Sequence, residues 1–398
     1  MNLREAATAL APELIALRRE LHRVPEIGLD LPKTQAAVLA ALAGLPLEIS
    51  TGERLSSVTA VLRGGGPGPV VLLRGDMDAL PVTEESDADY RSTHEGVMHA
   101  CGHDLHTAGL VGAARLLSER REELNGDVVF MFQPGEEGFD GAAHMIDEGV
   151  LEAAGRPADA AYGLHVISDT VPRGVFTTRP GPMMAASGGL YVRVIGSGGH
   201  GSRPHRTLDP VPAACAMVTA LQTMVTRRFS VFEPVVVTVG SFHAGTKRNI
   251  IPDQAIFEAT VRTFSEEAAA RVAEESVRLC EAIAAAHGLE AEVRYEAEYP
   301  ATVNWAEEAR FVAETVRDLF GAERYAEMAE PMMGSEDFSR VLQATPGSYM
   351  FLGACMGGDP ELAAANHSPR AAFDDGVLAD GAALLAELAI RRMRREVE

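Results

Sequence analysis

The feature that most constrains the fold of this chain is an alternation of short apolar segments with longer amphipathic ones. The apolar segments read as buried strands and lie near residues 69–74, 127–133, 159–166 and 347–354. The amphipathic segments read as helices and lie at roughly 104–120, 141–153, 306–320 and 376–396. Strands that alternate with helices are typical of an open α/β sheet with a parallel core. We therefore predict the α/β class, with an open mixed sheet and flanking helices.

The middle of the chain has a different pattern, in which strands of alternating polarity replace the continuous apolar ones. Its predicted elements lie near residues 188–196, 208–228, 234–242, 254–264, 265–288 and 289–299. Ser265 is a suitable N-cap for the second helix, and Gly288 is a suitable end for it. The order β-α-β-β-α-β is that of a ferredoxin-like α+β domain. We predict such a satellite domain at residues 184–297, inserted into a larger domain formed by residues 1–183 and 298–398.

Charge and cysteine content limit the partners and the compartment. The 398 residues include 35 basic and 57 acidic ones, which gives a net charge of −22 with His neutral. So negative a chain is poorly suited to bind nucleic acid or an anionic membrane. The 4 cysteines are scattered without a Cys-x-x-Cys pair, and no apolar run reaches the roughly 18 residues of a membrane span. Because free cysteines suit a reducing compartment, we predict a cytoplasmic protein.

The stretch HACGHDLH, residues 99–106, concentrates metal-binding side chains. Cys101 and His103 are separated only by Gly102, and His99 and His106 flank them. Thiolate and imidazole both bind borderline-soft divalent metals. A single free cysteine is more often a small buried apolar residue, but its histidine neighbours favour a ligand role here.

Four further ligand-type residues follow predicted strands. Glu136 and Glu137 come after a Pro-Gly turn, so that one carboxylate is able to bind a metal while the other takes a proton from water. His165 and His367 also follow buried strands, although a lone histidine at a strand end is more often structural. Since ligands collect beyond the carboxyl ends of parallel strands, these residues and Cys101 are expected to converge. Five such side chains exceed the needs of one metal and suit two that share a bridge.

Motifs along nearly the whole chain resemble one known family. In order they are MHACGHDLHTA, QPGEEG, GLHV, GSGGHGSRPH, NIIPDQAIFEATVRT, GSEDFSRVL and NHSP. They are similar to the amidohydrolase branch of the aminoacylase/carboxypeptidase-like dinuclear metallopeptidases. Hippurate hydrolases, indole-acetyl-amino-acid hydrolases and N-acetyl-diaminopimelate deacetylases belong to that branch. The resemblance is specific for the family and does not select a substrate.

The resemblance implies a role for each matched position. The implied ligands of two divalent ions per subunit, either zinc, manganese, cobalt or nickel, are Cys101, His103, Glu137, His165 and His367. Glu136 matches the general base, and Asp78 matches a carboxylate that orients a ligand. In many relatives a His and an Asp fill the positions of Asp76 and Cys101, so this branch uses a thiolate instead.

Two residues of the satellite domain also match functional positions. His200 matches a histidine that reaches the active site of a partner subunit and stabilises the oxyanion, which implies a homodimer through the satellite domain. Asn249 matches a residue that binds the substrate carboxylate, and the neighbouring Arg248 is suited to help. Taken without the resemblance, His200 reads as a loop residue and Asn249 as a turn residue.

Together these features predict a metal-dependent amidohydrolase that cleaves the amide bond of N-acyl-L-amino acids. The acyl group would be of the hippurate, N-acetyl or indole-acetyl kind, and a metal-bridged water would attack with Glu136 as general base. One alternative is a thiol hydrolase with Cys101 as nucleophile and a histidine as its base, which leaves Glu136, Glu137, His165 and His367 without a role. Another is a non-catalytic, small-molecule-binding dimer of the same fold.

Overall fold

The computed structural model describes residues 2–395 and divides the chain into two compact units. The first unit contains the chain up to Met183, Val303–Glu330 and the chain from Asp337 onward. The second unit contains Met184–Thr302 and Pro331–Glu336. It therefore begins where the satellite domain was predicted to begin, continues past residue 297, and includes a short segment from later in the chain.

The first unit is built on a mixed sheet of eight strands. The strands of the described chain are β1 (Leu47–Thr51), β2 (Val58–Arg63), β3 (Gly66–Asp76), β4 (Asn125–Gln133), β5 (Ala160–Ile167), β6 (Phe176–Thr178), β7 (Gly181–Met184), β8 (Ala186–Ile195), β9 (Gly199–His200), β10 (Val235–Ala244), β11 (Ile250–Ile251), β12 (Gln254–Thr263), β13 (Glu290–Ala297), β14 (Thr302–Asn304), β15 (Tyr325–Glu327) and β16 (Gly347–Gly353). The large sheet has the order β1-β2-β4-β3-β5-β16-β6-β15. It combines parallel and antiparallel pairs, so the predicted open mixed sheet is confirmed.

Helices of the first unit cover this sheet. The helices of the described chain are α1 (Leu3–Arg23), α2 (Pro32–Leu42), α3 (His103–Ser118), α4 (Gly141–Asp147), α5 (Pro210–Arg228), α6 (Glu266–Ala286), α7 (Ala306–Phe320), α8 (Ser339–Ala344) and α9 (Leu378–Arg395). Of these, α5 and α6 belong to the second unit. The helices α1, α3 and α9 pack on one another, and α3 and α9 also contact the central strands. Among residues 2–395, no helix combines the length and the apolar surface that crossing a membrane requires.

The central strands show why continuous apolar runs predicted a parallel core. Every residue of β5 and of β16 is buried, because both faces of these strands are covered. Leu14, Leu110 and Leu384 of the covering helices are among the buried residues of the same core. An alternating strand would instead place polar side chains inside this core.

Parallel pairing determines where the loops of the first unit lie. Strand β3 pairs in parallel with both β4 and β5, and β5 pairs in parallel with β16. The carboxyl ends of these four strands therefore share one edge of the sheet. The segments that follow β3, β4 and β16, together with the end of β5, carry Asp78, Glu137, His367 and His165 to that edge.

The second unit contains an antiparallel sheet of order β10-β12-β8-β13. Its elements follow one another as β8, α5, β10, β12, α6 and β13, and both helices pack against strands of this sheet. Side chains of Val192, Phe257 and Met217 lie in its own buried core. At the start of α6, the Ser265 hydroxyl accepts the backbone N–H of Ala268 at 3.1 Å.

Two local expectations differ from the structure. The helix expected at 141–153 ends at Asp147, because Gly149 adopts a left-handed backbone with φ of 88° and Val150–Glu152 continues as a 3-10 turn. Strands β1 and β2 were not expected. Four of the five β1 residues are exposed, so this edge strand lacks the apolar signal of the central ones.

Replacing Ser265 with Ala tests the cap of α6. The variant loses the acceptor for a helix N-terminal N–H, so its free energy of unfolding should fall by about 1 kcal/mol. Urea denaturation of the whole chain measures this change. Ser265→Asp, which retains a side-chain acceptor, is the control and should stay within about 0.5 kcal/mol of the wild type. Equal stability of the Ala variant and the wild type would contradict the capping role.

Candidate functional site

The first side chains of the site lie at the start of α3. Gly102 has a φ of 80°, and a Cβ at this position would be 2.5 Å from the Val166 side chain. Only glycine fits both the left-handed turn and the close approach. The turn places Cys101 two residues before the first helical residue, His103, and both side chains are buried.

The structure brings the five predicted ligands together. The Cys101 Sγ atom lies 3.3 Å from His165 Nε2 and 3.2 Å from His367 Nε2. Glu137 Oε1 lies 3.1 Å from His367 Nε2 and 3.9 Å from His103 Nε2. Side chains from four separate stretches of the chain therefore meet at one edge of the sheet.

These donors form two groups that share the thiol. Cys101, His103 and His165 form one, with donor atoms within 4.8 Å of one another. Cys101, Glu137 and His367 form the other, with the same limit. A donor common to both groups is the arrangement that a pair of bridged ions requires.

The donor set fits the divalent ions that the resemblance implies. With bonds of 2.0–2.3 Å, two tetrahedral zinc ligands are about 3.3–3.8 Å apart. Within each group the donor atoms lie 3.1–3.3 Å apart, close to the lower end of that interval. In addition, the buried Nε2 atom of His103 has no hydrogen-bond partner among residues 2–395. A buried polar atom of this kind is normally satisfied, and a cation would satisfy it.

Protonation at the site responds to this crowding of donors. Burial lowers the pKa of His165 well below its usual value, which keeps its imidazole neutral. Hydrogen bonds of its ring with Cys101 and with the accepting carboxylate of Glu137 raise the pKa of His367 to about 10. The protonated His367 thus supplies positive charge beside a thiol and a carboxylate, and a bound cation would replace that proton.

His367 is placed by its neighbours along the chain. Its φ of 71° is uncommon for a residue with a side chain, and its N–H donates to the Ala100 carbonyl at 2.8 Å. The side-chain amide of Asn366 donates to the Val166 carbonyl at 3.1 Å and accepts the N–H of Ser168 at 2.9 Å. These bonds tie the segment after β16 to the loop before α3 and to the end of β5.

Asp78 holds the loop that carries the two glutamates. Its two carboxylate oxygens accept the backbone N–H groups of Glu136 and Glu137, each at 3.0 Å. Its Oδ1 atom also lies 3.4 Å from His103 Nδ1. One buried carboxylate therefore orients both a ligand-type imidazole and the Glu136-Glu137 backbone.

Asp76 belongs to a different, structural arrangement. Although Asp76, His103 and His106 also form a close donor group, Arg74 donates to Asp76 Oδ2 at 2.6 Å and Oδ1 lies 2.5 Å from His106 Nδ1. His106 Nε2 accepts the Val166 N–H at 2.8 Å, which places the ring proton on Nδ1. Both side chains are thus already engaged within the protein.

A buried network connects Asp76 with Asp337, which lies much later in the sequence. Arg74 donates to Asp337 at 3.0 Å and to Gln133 at 2.9 Å, and Gln133 donates to Asp337 at 2.7 Å. Burial alone would raise the pKa of Asp76, but the Arg74 guanidinium holds that pKa well below its usual range. Sequence patterns do not predict this network. The available signal was a charged residue, Arg74, at the end of an otherwise apolar strand.

A second buried cluster fixes the start of α3 against α1. The side chains of Arg18 and His22 reach Asp104 Oδ2 at 2.7 and 2.8 Å, and Arg18 also pairs with Asp375 at 3.1 Å. Asp104 directly follows His103 and lies in the first helical turn, where a negative charge is favourable. Motif spacing does not reveal this cluster, because its members come from three distant segments.

His99 and Glu136 complete the surroundings of the site. His99 is buried, and burial lowers its pKa to about 3; it belongs to neither of the two groups that contain Cys101. Glu136 is also buried, and its carboxylate lies within 4.8 Å of the donor atoms of His103 and Glu137. This position is within reach of a water held among those donors.

The structure also brings the two predicted satellite residues together within the second unit. Strands β9 and β11 pair His200 with Ile250, and the Gly201 N–H donates to the Asn249 carbonyl at 2.9 Å. His200 and Asn249 are both exposed, and His200 Nδ1 lies 2.8 Å from the Ser202 hydroxyl. Their functional roles remain predictions.

Replacing Asp78 with Asn tests how the ligand loop is held. An amide offers one acceptor oxygen where the carboxylate offers two, so the loop and His103 should lose orientation. We expect zinc affinity to fall about 10- to 100-fold, as measured by competition with a chelating indicator. Asp127→Asn, which alters a carboxylate paired with Arg63 at the sheet periphery, is the control. Unchanged zinc affinity in the Asp78 variant would contradict the role of this carboxylate.

Comparisons with known proteins agree with these observations. The model of the Peptidase family M20/M25/M40 matches residues 72–391. Thermostable carboxypeptidase 2 of Saccharolobus solfataricus is 38% identical over 382 residues, which cover 95% of each chain. Hippurate hydrolase of Campylobacter jejuni is 34% identical and covers 99% of this chain and 100% of its own.

A solved structure gives the same result for the fold. The Bacillus subtilis YXEP protein, described as a dinuclear metal-binding peptidase of the M20 family, superposes with a TM-score of 0.82 and 33% identity. The match covers 97% of this chain and 99% of that one. The sheet, the donor cluster at its edge and these similarities lead to one conclusion: this chain is a member of the Peptidase family M20/M25/M40.

Proposed function

We propose that this protein is a metal-dependent amidohydrolase that cleaves the amide bond of N-acyl-L-amino acids. The observation that carries the proposal is the cluster of five donor side chains with the Glu136 carboxylate beside it. The name of the similar hippurate hydrolase points to the same class, because hippurate is an N-acylated amino acid. A carboxypeptidase, such as the other relative, also cleaves an amide next to an amino acid with a free carboxylate.

The two donor groups would each hold one divalent ion. Cys101, His103 and His165 would bind one ion, and Cys101, Glu137 and His367 would bind the other. When bound, such ions lower the pKa of water to about 7 and polarise an acyl carbonyl. The thiolate favours zinc, whereas imidazole and carboxylate also suit manganese, cobalt or nickel.

Glu136 is the proposed general base and acid. Its carboxylate takes a proton from the attacking water as the water oxygen bonds to the acyl carbon. The carbon–nitrogen bond then breaks, and Glu136 delivers the proton to the leaving amine. The products are a carboxylic acid and an amino acid, which balances the addition of one water molecule.

Residues of the second unit have proposed roles in binding and stabilisation. His200 would donate a hydrogen bond to the developing oxyanion, and Asn249 would hold the substrate carboxylate with help from Arg248. A homodimer formed through the satellite domain would allow His200 to act on the partner's substrate. The cytoplasm is the proposed location, where free thiols such as Cys101 persist in reduced form.

Glu136→Gln should abolish proton transfer without removing a ligand. We expect kcat for an N-acyl amino acid such as hippurate to fall about 100- to 10,000-fold, while the metal content stays unchanged. Activity assays and elemental analysis of the same preparations measure both quantities. The matched variant Glu137→Gln alters the adjacent carboxylate and should reduce metal content together with activity. Retained turnover in the Glu136 variant would contradict its role as general base.

A thiol hydrolase is the second candidate function. It is favoured by the distance of 3.2 Å between Cys101 Sγ and His367 Nε2, and by the raised pKa of His367, as in a thiolate–imidazolium pair. This mechanism leaves His103, Glu137 and His165 without a catalytic task.

Metal removal separates the two candidates. If the metal enzyme is correct, a chelator should abolish activity, and added zinc, manganese, cobalt or nickel should restore it. Hydrolysis of an N-acyl amino acid before and after metal addition measures this effect. Full activity of the chelated, metal-free protein would instead support the thiol mechanism.

A further inference from the structure

The second compact unit contains a concentration of positive charge in an otherwise acidic protein. It consists of Arg203, Arg206, Lys247 and Arg248, and these four residues are named the cationic ribbon here. All four are exposed, whereas the whole chain has a net charge of −22. Like charges that are close together repel one another, so such a cluster is stabilised by an anion.

Backbone hydrogen bonds place the two segments of the ribbon side by side. The N–H of Arg203 donates to the His200 carbonyl at 2.8 Å, and the N–H of Arg206 donates to the Arg203 carbonyl at 3.0 Å. On the other segment, the N–H of Ile250 donates to the Lys247 carbonyl at 3.0 Å. The pairing of His200 with Ile250 joins both segments. The four cations of the ribbon therefore flank the short two-stranded sheet of β9 and β11.

The acidic groups of this region do not neutralise the ribbon. Asp253 accepts the backbone N–H of Gly198 at 2.8 Å, and Asp209 accepts the N–H of Val211 at 3.0 Å. Within residues 2–395, none of the four cations of the ribbon forms an ion pair. The nearby carboxylates thus act as turn and helix caps, and the positive charges remain available to a ligand.

One carboxylate does not require so many cations. A single guanidinium is able to bind a carboxylate through two hydrogen bonds. Every N-acyl amino acid carries one α-carboxylate, for which Asn249 and Arg248 are already proposed. A substrate with a second carboxylate would be repelled by an acidic protein unless a local positive field opposed that repulsion. Arg203, Arg206 and Lys247 supply such a field.

We infer that the preferred substrates are N-acyl derivatives of dicarboxylic amino acids, with the side-chain carboxylate bound by the cationic ribbon. This inference rests on the proposed amidohydrolase function and specifies its substrate class. The acyl group is not restricted by it, since the ribbon recognises charge on the amino acid part.

The decisive comparison is between N-acetyl-L-glutamate and N-acetyl-L-glutamine. The two molecules have nearly the same size and the same α-carboxylate, and they differ in the charge of the side chain. A charge-assisted contact is worth about 10- to 100-fold, so kcat/KM for the glutamate compound should be higher by that factor. The ratio should decrease as salt is added, because the ribbon is exposed.

Two double variants assign the preference to the ribbon. Arg203→Gln with Arg206→Gln removes the charge of one segment, and Lys247→Gln with Arg248→Gln removes that of the other. At least one of the two double variants should lower the ratio of kcat/KM for the glutamate compound to kcat/KM for the glutamine compound by about threefold or more. The ratio isolates the second carboxylate, because loss of an α-carboxylate contact affects both substrates. Arg278→Gln on α6 removes an exposed cation elsewhere in the same unit and should leave the ratio unchanged.

The outcomes distinguish this inference from the proposed function. Hydrolysis of both compounds with a wild-type ratio near one overturns the inference and leaves the amidohydrolase proposal intact. An unchanged ratio in both double variants also overturns it. If the metal-loaded protein hydrolyses neither compound nor hippurate, the proposed function fails. The inference is then tested by measuring the affinities of the two compounds by calorimetry. Tighter binding of N-acetyl-L-glutamate by about tenfold would then support the ribbon as a dicarboxylate site, and equal affinities would overturn it.

Discussion

The parallel pairing of β3, β4, β5 and β16 is the constraint on which the candidate site depends. Because the four strands run in one direction, their carboxyl ends deliver side chains from residues 76 to 367 to a single edge. Parallel strands need crossover connections that cover both faces of a sheet, which explains why β5 and β16 are wholly buried. The same architecture that makes these strands apolar therefore gathers the polar donors just beyond them.

Buried charges beneath the donors hold that edge in place. Arg74, Asp76 and Asp337 are all buried, and each uncompensated charge would cost several kcal/mol. Each is instead met by an opposite charge and by hydrogen bonds. Arg18 and Asp104 do the same at the start of α3. Such networks stabilise a single arrangement, because a shifted side chain would leave a buried charge without its partner.

Charge is distributed differently in the two units. In the first unit, cations such as Arg18 and Arg74 are buried and balanced by carboxylates. In the second unit, the cationic ribbon is exposed and has no such partner among the described residues. Buried pairs contribute to the shape of a site, whereas an exposed positive field in an acidic protein contributes to the selection of a ligand.

Much of the fold and part of the site follow from local sequence signals. Continuous apolar segments predict the buried strands, and the cap at Ser265 predicts the start of α6, because both signals act within a few residues. The donor types at Cys101, His103, Glu137, His165 and His367 are also local, and the family resemblance joins them. The exposed strand β1 and the end of α4 at Asp147 escape prediction, since an edge strand is not apolar and Gly149 terminates a helix only in its actual backbone conformation.

The sequence by itself therefore determined the class of fold, the kinds of donor atoms and the uneven charge. Only the tertiary structure decided that Asp76 pairs with Arg74 and His106, that Asp78 holds the Glu136-Glu137 backbone, and that Asp337 closes the buried network. The physical reason is that these contacts join residues as much as 263 positions apart. A charged side chain is a structural partner if the fold places an oppositely charged group beside it, and a free donor if it does not. Neither motif nor periodicity contains that information.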